Sequence, residues 1–256
     1  MASIKNSLQP HLLCKLGDIA PNVLLPGDPG RVLRMAKLLD NAKEISFNRE
    51  YRVVTGKYKG IPVSICSTGI GGPSTAIAIE ELINLGAKQF IRVGSCGASK
   101  KEIKVGDLVV SDSVIRADHT CLDYVPLEFP AVADFKTVIA LQEAAKNLKA
   151  KSFVGPTVSV DALYSPHTKE VKNFWKSFGA LAQDMEAATV LTLARVRGVL
   201  AGVILLVVDQ EGEKNIKEKI AAYSAQAKSG KGALVEKELL ATEVALEALV
   251  ILNKKK

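Results

Sequence analysis

The segment 61–97 constrains the fold of this chain more than any other stretch. It holds an apolar run at 62–67, a glycine-rich turn at 69–72, a helical apolar face that starts at Pro73, and a second apolar run from Gln89 to Val93. Glycine permits tight turns, and proline fits the first turn of a helix. The segment predicts a strand–helix–strand unit, with a second turn at 94–97. A right-handed crossover would bring both turns to one edge of a parallel sheet, where ligands bind.

Arg92 lies inside the second apolar run. A charge at such a position needs a partner, and a bound anion is the obvious candidate. Two common phosphate-binding motifs are disfavoured. The glycine turn lacks the third glycine of the dinucleotide fingerprint, and no acidic residue follows about 20 residues later. The chain also has no GxxxxGK[ST] loop.

The rest of the chain alternates predicted strands and helices, and the region from Asn215 onward is expected to be mostly helical. A short strand leads into the turn Pro26-Gly27-Asp28-Pro29-Gly30-Arg31, which is either an anion site at a helix N-terminus or an ordinary turn with a surface arginine. The run 203–208 is apolar without alternation, as in a strand covered on both faces, and Asp209 follows it. The pattern predicts an α/β fold with one domain over 1–256.

Composition excludes several classes of protein. With 256 residues and 48% hydrophobic content, the chain can bury a large core. No segment resembles a signal peptide or a membrane span. The net charge of +7 is spread along the chain and aromatic residues are few, so we expect neither a nucleic-acid nor a membrane partner. The scattered Cys14, Cys66, Cys96 and Cys121 favour a reduced, cytoplasmic protein over a disulfide scaffold or a zinc site.

Several motifs in a fixed order are more specific than any one of them. They are Pro26-Gly27-Asp28-Pro29, Asn48-Arg49-Glu50-Tyr51, Ser67-Thr68-Gly69-Ile70-Gly71-Gly72-Pro73-Ser74, Ile91-Arg92-Val93-Gly94-Ser95-Cys96-Gly97 and Asp184-Met185-Glu186. With them, nearly the whole chain resembles the nucleoside phosphorylase family of trimeric and hexameric enzymes, which includes purine nucleoside and uridine phosphorylases. The resemblance implies a fold with a central twisted mixed β-sheet flanked by helices. It also implies a pentosyltransferase that cleaves nucleosides with inorganic phosphate, giving free base and (deoxy)ribose 1-phosphate, without a cofactor.

The resemblance also implies roles for individual residues. It assigns phosphate binding to Gly27, Arg31, Arg92 and Ser95, with Arg49 from a neighbouring subunit, and ribose binding to Met185, Glu186 and a neighbour's His11. It assigns the base to Cys96, Gly97, Tyr164, Gln183 and Asp209, and makes Asp209 and Arg92 catalytic. Glu50, Ile70 and Ser74 correspond to a monovalent-cation (K⁺) site between subunits. The implied assembly is a homo-oligomer, a hexamer built from dimers that share active sites.

Taken singly, some of these residues have simpler interpretations. Met185 alone is typical of a core residue, His11 of a surface or capping residue, and Asp209 of a turn cap. Cys96 is expected to be a packing residue and not a nucleophile.

The chain departs from the family pattern around the base. Asp184 replaces the first glutamate of the ribose motif, Leu163 replaces a base-stacking phenylalanine, and the Gln-x-Arg element that grips uracil is absent. By contrast, the segments 67–81 and 127–135 look most like uridine enzymes. Asp209, as an acid that protonates purine N7, leads us to expect purine nucleosides as the favoured substrates. The alternatives are a uridine phosphorylase, a hydrolytic nucleosidase and a non-catalytic nucleoside-binding protein.

Overall fold

The computed structural model describes residues 8–210 and 216–254. Within these ranges the strands are β1 (Asn22–Leu25), β2 (Asp40–Asn48), β3 (Tyr51–Tyr58), β4 (Ile61–Cys66), β5 (Gln89–Ala98), β6 (Leu108–Ala117), β7 (Ala131–Val132), β8 (Ser152–Val160), β9 (Ala182–Asp184) and β10 (Leu200–Gln210). The helices are α1 (Pro29–Ala36), α2 (Gly72–Asn84), α3 (Phe135–Asn147), α4 (Thr168–Ser177), α5 (Ala187–Val196), α6 (Ile216–Ser229) and α7 (Ala233–Lys254), with a short 3-10 helix at Thr120–Asp123.

The strands form one mixed sheet in the order β10-β6-β8-β9-β5-β1-β4-β3-β2, with β7 paired to β6. Because β5 also pairs with β10, the strands β5, β10, β6, β8 and β9 close on themselves, and β1, β4, β3 and β2 extend from β5. Helices α3 and α7 pack together against the sheet, as do α2 and α5. The predicted α/β fold, a mixed sheet flanked by helices, is therefore confirmed, and its closure at one end is an additional finding.

The predicted strand–helix–strand unit is β4–α2–β5. Both strands run parallel to β1, which lies between them. Gly86 follows α2 with a φ of +102°, a conformation that favours glycine at the end of a helix. The turn predicted at 94–97 is wrong, because β5 continues to Ala98. The reason is its long neighbour β10, which pairs with β5 from Leu200↔Gln89 to Gln210↔Ala98.

The core lies around β10, as its apolar sequence predicts. Val203, Ile204, Leu205, Leu206 and Val207 are at most 1% exposed, and helices α3, α5 and α7 contact the strand. The predicted C-terminal helical region is α6 and α7, although Asn215, its expected first residue, lies outside the described residues. No helix in the described ranges has the length and apolarity to span a membrane.

Candidate active site

A gap along one edge of β5 organises the site. One edge of β5 pairs with β10 throughout, and the other pairs with β1 at residues 89–92 and with β9 at 97–98. Residues 93–96 therefore have no strand beside them on that edge, and we call this stretch the β5 gap. Part of it is filled by α1, since Arg31 Nη1 donates to the carbonyl oxygen of Val93 at 3.1 Å.

The turns after β1 and β4 meet at this edge of the sheet. The Gly69 amide donates to the Gly27 carbonyl at 3.0 Å, and the Thr68 amide donates to the Pro26 carbonyl at 2.9 Å. Gly69 has a φ of +71°, and a Cβ on Gly27 would lie 3.1 Å from the Gly69 carbonyl oxygen. The turns after two parallel strands, β1 and β4, thus lie together at one edge of the sheet.

Arg92 is buried beside two carboxylates. Its Nε donates to Asp184 Oδ2 at 3.0 Å, and its Nη2 bonds to Glu186 Oε2. A Cβ on Gly94 would lie 2.8 Å from Nη2, so the absence of a side chain there makes room for the guanidinium. Arg92 Nη1 is buried and has no hydrogen-bond partner among the described residues. Since buried donors are almost always bonded, this nitrogen is suited to bind an anion.

Asp184 anchors Arg92, a role that the sequence analysis missed. The carboxylate also accepts from Ser159 Oγ at 2.6 Å and from the Ala187 amide at 2.9 Å. It therefore fixes the start of α5 and orients the arginine at once. The signal available in the sequence was an aspartate just ahead of an apolar helix, a position that favours capping.

Glu186 joins the ribose motif to the glycine turn. It is 6% exposed, and its Oε1 accepts from the Gly71 amide at 2.7 Å. Burial raises the pKa of Glu186, and the positive charge of Arg92 opposes this shift. Met185 packs on a small apolar cluster that includes Val158 and Val160.

Arg31 is held by the C-terminal helices. Its Nε donates to Glu238 Oε2 at 3.0 Å and its Nη2 donates to the Tyr223 hydroxyl at 2.7 Å. With the bond to Val93, these contacts use three of the five guanidinium N–H groups, so within the described part of the chain two remain for a ligand. Burial alone would raise the pKa of Glu238, but hydrogen bonds and charge from Arg34 and Arg31 lower it.

The N-terminus of α1 is already capped. Asp28 accepts from the Gly30 amide at 2.9 Å and from the Arg31 amide at 2.8 Å. These two amides are therefore not open to an anion, which argues against one of the two interpretations that the sequence allows for this turn. At this turn, the Arg31 side chain and Gly27 remain candidates for contact with phosphate.

Three of the residues assigned to the base lie side by side in the sheet. In the sheet, Gly97 pairs with Gln183 of β9 and with Asp209 of β10. Asp209 lies 3.8 Å from the amine of Lys172 on α4, a residue that no motif singled out. Gln183 Oε1 is buried without a hydrogen-bond partner among the described residues.

The other three predicted residues of this region differ in exposure. Cys96 is buried, and burial raises the pKa of its thiol, which fits the expected packing role. Tyr164 is largely exposed, with the amine of Lys217 5.2 Å from its ring centroid. Ser95 lies in the β5 gap and is partly exposed.

His11 and Arg49 lie on a different part of the surface. His11 Nδ1 is 2.7 Å from Glu81 Oε1, so this carboxylate orients the ring. Asn48 donates to the His11 carbonyl at 2.9 Å, and Arg49 follows at the exposed β2–β3 turn with a φ of +53°. No contact within the described residues joins His11 or Arg49 to Arg92.

The residues expected at a cation site are partly assembled. Glu50 Oε1 is 2.8 Å from Ser74 Oγ, and Ile70, next to the Gly69 turn, is 78% exposed. Carboxylate and hydroxyl oxygens suit a hard cation. Among the described residues, no cluster of three or more His, Cys, Asp or Glu side chains is placed to hold a metal ion.

The chain is similar to known proteins over most of its length. Residues 21–236 match the model of the phosphorylase superfamily. The chain is 47% identical to a uridine phosphorylase of Thermococcus kodakarensis over 79% of this chain and 78% of the relative. It is 44% identical to a guanosine phosphorylase of Halorubrum lacusprofundi over 78% and 82%. The crystal structure of uridine phosphorylase from Vibrio fischeri ES114 matches with a TM-score of 0.86 and 35% identity, covering 98% of this chain and 100% of that one.

Proposed function

The chain belongs to the phosphorylase superfamily, and on this premise we propose that it is a pentosyltransferase that uses inorganic phosphate to cleave the N-glycosidic bond of uridine. The reaction gives uracil and (deoxy)ribose 1-phosphate. The observation that carries the proposal is the buried, unpartnered Arg92 Nη1 within the described part of the site. Glu186 is fixed beside it by the Gly71 amide.

These residues suit the chemistry of glycosidic cleavage. The transition state carries positive charge on the sugar and negative charge on the leaving base. Phosphate bound by Arg92, Arg31 and Ser95 would attack the anomeric carbon and stabilise the positive charge. Glu186 would accept hydrogen bonds from the ribose hydroxyls, and Met185 would contact the sugar.

The choice of uridine follows the alternative given in the sequence analysis, because the comparisons do not confirm the expected preference for purine nucleosides. Two of the three relatives described above are uridine phosphorylases. Purine nucleosides such as guanosine or inosine are a second candidate class of substrate. The Halorubrum relative is a guanosine phosphorylase, and Asp209 lies beside Gly97. In that case Asp209 would supply the proton to purine N7, as the sequence suggests.

Phosphate dependence tests the reaction class. Uridine, inosine and guanosine are each incubated with and without phosphate, and chromatography measures free base and pentose 1-phosphate. We expect cleavage only with phosphate. Arg92→Met should abolish it, while Arg195→Met, a matched change at an exposed arginine, should not. Full activity without phosphate would make the protein a hydrolase, and binding without cleavage would make it a nucleoside-binding protein.

We also propose that two copies of the chain share each active site, within a hexamer. His11 and Arg49 would reach the site of a neighbour. Three exposed apolar side chains on nearby segments support this surface as the contact: Leu13, Phe47 and Ile70, which are 43%, 50% and 78% exposed.

Complementation tests the sharing. His11→Ala and Arg92→Ala chains should each be inactive. In a mixed dimer, however, one of the two sites receives an intact His11 and an intact Arg92. Equal mixing after dissociation should therefore restore about a quarter of wild-type activity, since half of the dimers are mixed. No recovery, or a fully active monomer in light scattering, would contradict the proposal.

Two further proposals concern a bound potassium ion and the cellular compartment of the protein. Glu50, Ser74 and Ile70 would hold K⁺ between two copies, so exchange of K⁺ for tetramethylammonium should lower the thermal midpoint of unfolding. An unchanged midpoint would argue against the ion.

The four cysteines are buried and free, which favours a reducing compartment such as the cytoplasm. Cell fractionation tests this location.

A further inference from the structure

A glycine in the sheet, Gly97, lies between two residues with polar side chains. Gly97 of β5 pairs with Gln183 on one side and with Asp209 on the other. Side chains of directly paired residues lie on the same face of a sheet. Since glycine has no side chain, the space above Gly97 is bordered by the Gln183 amide and the Asp209 carboxylate.

Lys172 reaches the same space from α4. A Cβ on Gly97 would lie 3.3 Å from Asp209 Oδ2 and 3.5 Å from Lys172 Nζ. The side chain of Lys172 is only 17% exposed, although α4 has no fully buried residue. Lysine amines normally remain in water, so this one is placed on the sheet by its pairing with Asp209, at 3.8 Å.

The side chains around Gly97 provide one hydrogen-bond donor and one hydrogen-bond acceptor for a ligand. The Lys172 amine offers only donors. Gln183 Oε1 is a buried acceptor with no hydrogen-bond partner in the described part of the chain, so a ligand N–H would satisfy it. A cationic donor and a glutamine amide are also the two kinds of group in the Gln-x-Arg element that this chain lacks.

We propose that Lys172 is a specificity-determining residue that recognises the base. Its ammonium donates to the exocyclic oxygen of an oxo base, and Gln183 accepts the adjacent ring N–H. Uracil and the 6-oxopurines both present this edge, whereas adenine and cytosine carry an amino group in its place. As the base leaves, negative charge grows on the exocyclic oxygen, so the ammonium also stabilises the transition state. The inference rests on the proposed function and extends it.

Two pairs of substrates test the role of Lys172. Uridine is compared with cytidine, and inosine with adenosine, by kcat/KM at saturating phosphate. The wild-type protein should prefer the oxo member of each pair that it cleaves. Lys172→Met should lose about 10- to 100-fold on the oxo substrates, the usual range for a charged hydrogen bond, and little on the amino substrates. Lys172→Arg should restore most of the preference, and Lys169→Met, on the same helix at an exposed position, should change nothing.

Other outcomes separate this inference from the proposed function. An equal loss on all four substrates, or an unchanged oxo-to-amino ratio in Lys172→Met, overturns the inference and leaves the phosphorylase intact. A wild-type protein that cleaves no nucleoside with phosphate rejects both. Calorimetric binding of free uracil to wild-type and Lys172→Met protein gives a readout independent of turnover, and equal affinities would also overturn the inference. Circular dichroism of each variant verifies that it is folded.

Discussion

Replacement of Asp184 by asparagine tests how Arg92 is held. The side chain of Asp184 is fully buried and accepts from Arg92 Nε, Ser159 Oγ and the Ala187 amide. Asparagine has the same size but carries no charge, and its NH2 group must face at least one of these donors. Loss of one partner of a buried ion pair costs about 3–5 kcal/mol. Because Arg92 keeps Glu186, we expect the lower end, about 3 kcal/mol.

The loss of folding stability in Asp184→Asn is measured as a decrease of the thermal midpoint of unfolding at fixed protein concentration. For a chain of this size, about 3 kcal/mol corresponds to a decrease of roughly 6–12 °C. The KM for phosphate should rise as well, since the guanidinium loses one of the two carboxylates that orient it. The matched control is Asp161→Asn, which removes the partner of His119 from an exposed pair and should change the midpoint little. If Asp184→Asn is no more destabilising than this control, the buried pair does not hold Arg92 as we describe.

Two further predictions concern Glu186 and Tyr223, which contact Arg92 and Arg31. Because burial raises the pKa of Glu186 and the ribose contact requires its ionised form, kcat/KM should fall with decreasing pH at values above the ordinary glutamate pKa of about 4.3. Glu186→Gln should remove this acid limb and leave a low, flat profile, and a limb that persists in the variant would exclude Glu186 as its source. Tyr223→Phe deletes the hydroxyl that accepts from Arg31 Nη2, so the KM for phosphate should rise several-fold with little change in the KM for uridine. Tyr58→Phe, at a distant surface bond to Glu247, is the control, and equal phosphate KM values in both variants would contradict a role for Tyr223.

Local features of the sequence determined most of the secondary structure. The strand–helix–strand unit, the buried strand β10 and the C-terminal helices follow from apolar periodicity and from the placement of glycine and proline. These signals depend on neighbouring residues, so they can be detected along the chain. The resemblance to nucleoside phosphorylases likewise depended on motifs that are continuous in sequence.

Strand pairing decided what local patterns could not. Residues 94–97 look like a turn, yet they form strand because β10 supplies hydrogen-bond partners beside them. Strand β2 is polar and largely exposed, and it forms because β3 lies antiparallel to it. Such pairing depends on residues far away in the chain, and the closure of β5, β10, β6, β8 and β9 depends on it in the same way.

Two charged residues whose roles could not be predicted from the sequence show the same limit. Asp184 orients Arg92 across 92 positions of sequence, and Lys172 pairs with Asp209 across the space above Gly97. A single aspartate or lysine has no pattern that indicates its partner. The sequence thus shows which charged residue types the site contains. It does not show which charges pair, because the partners lie far apart in the chain and meet only when folding buries them together.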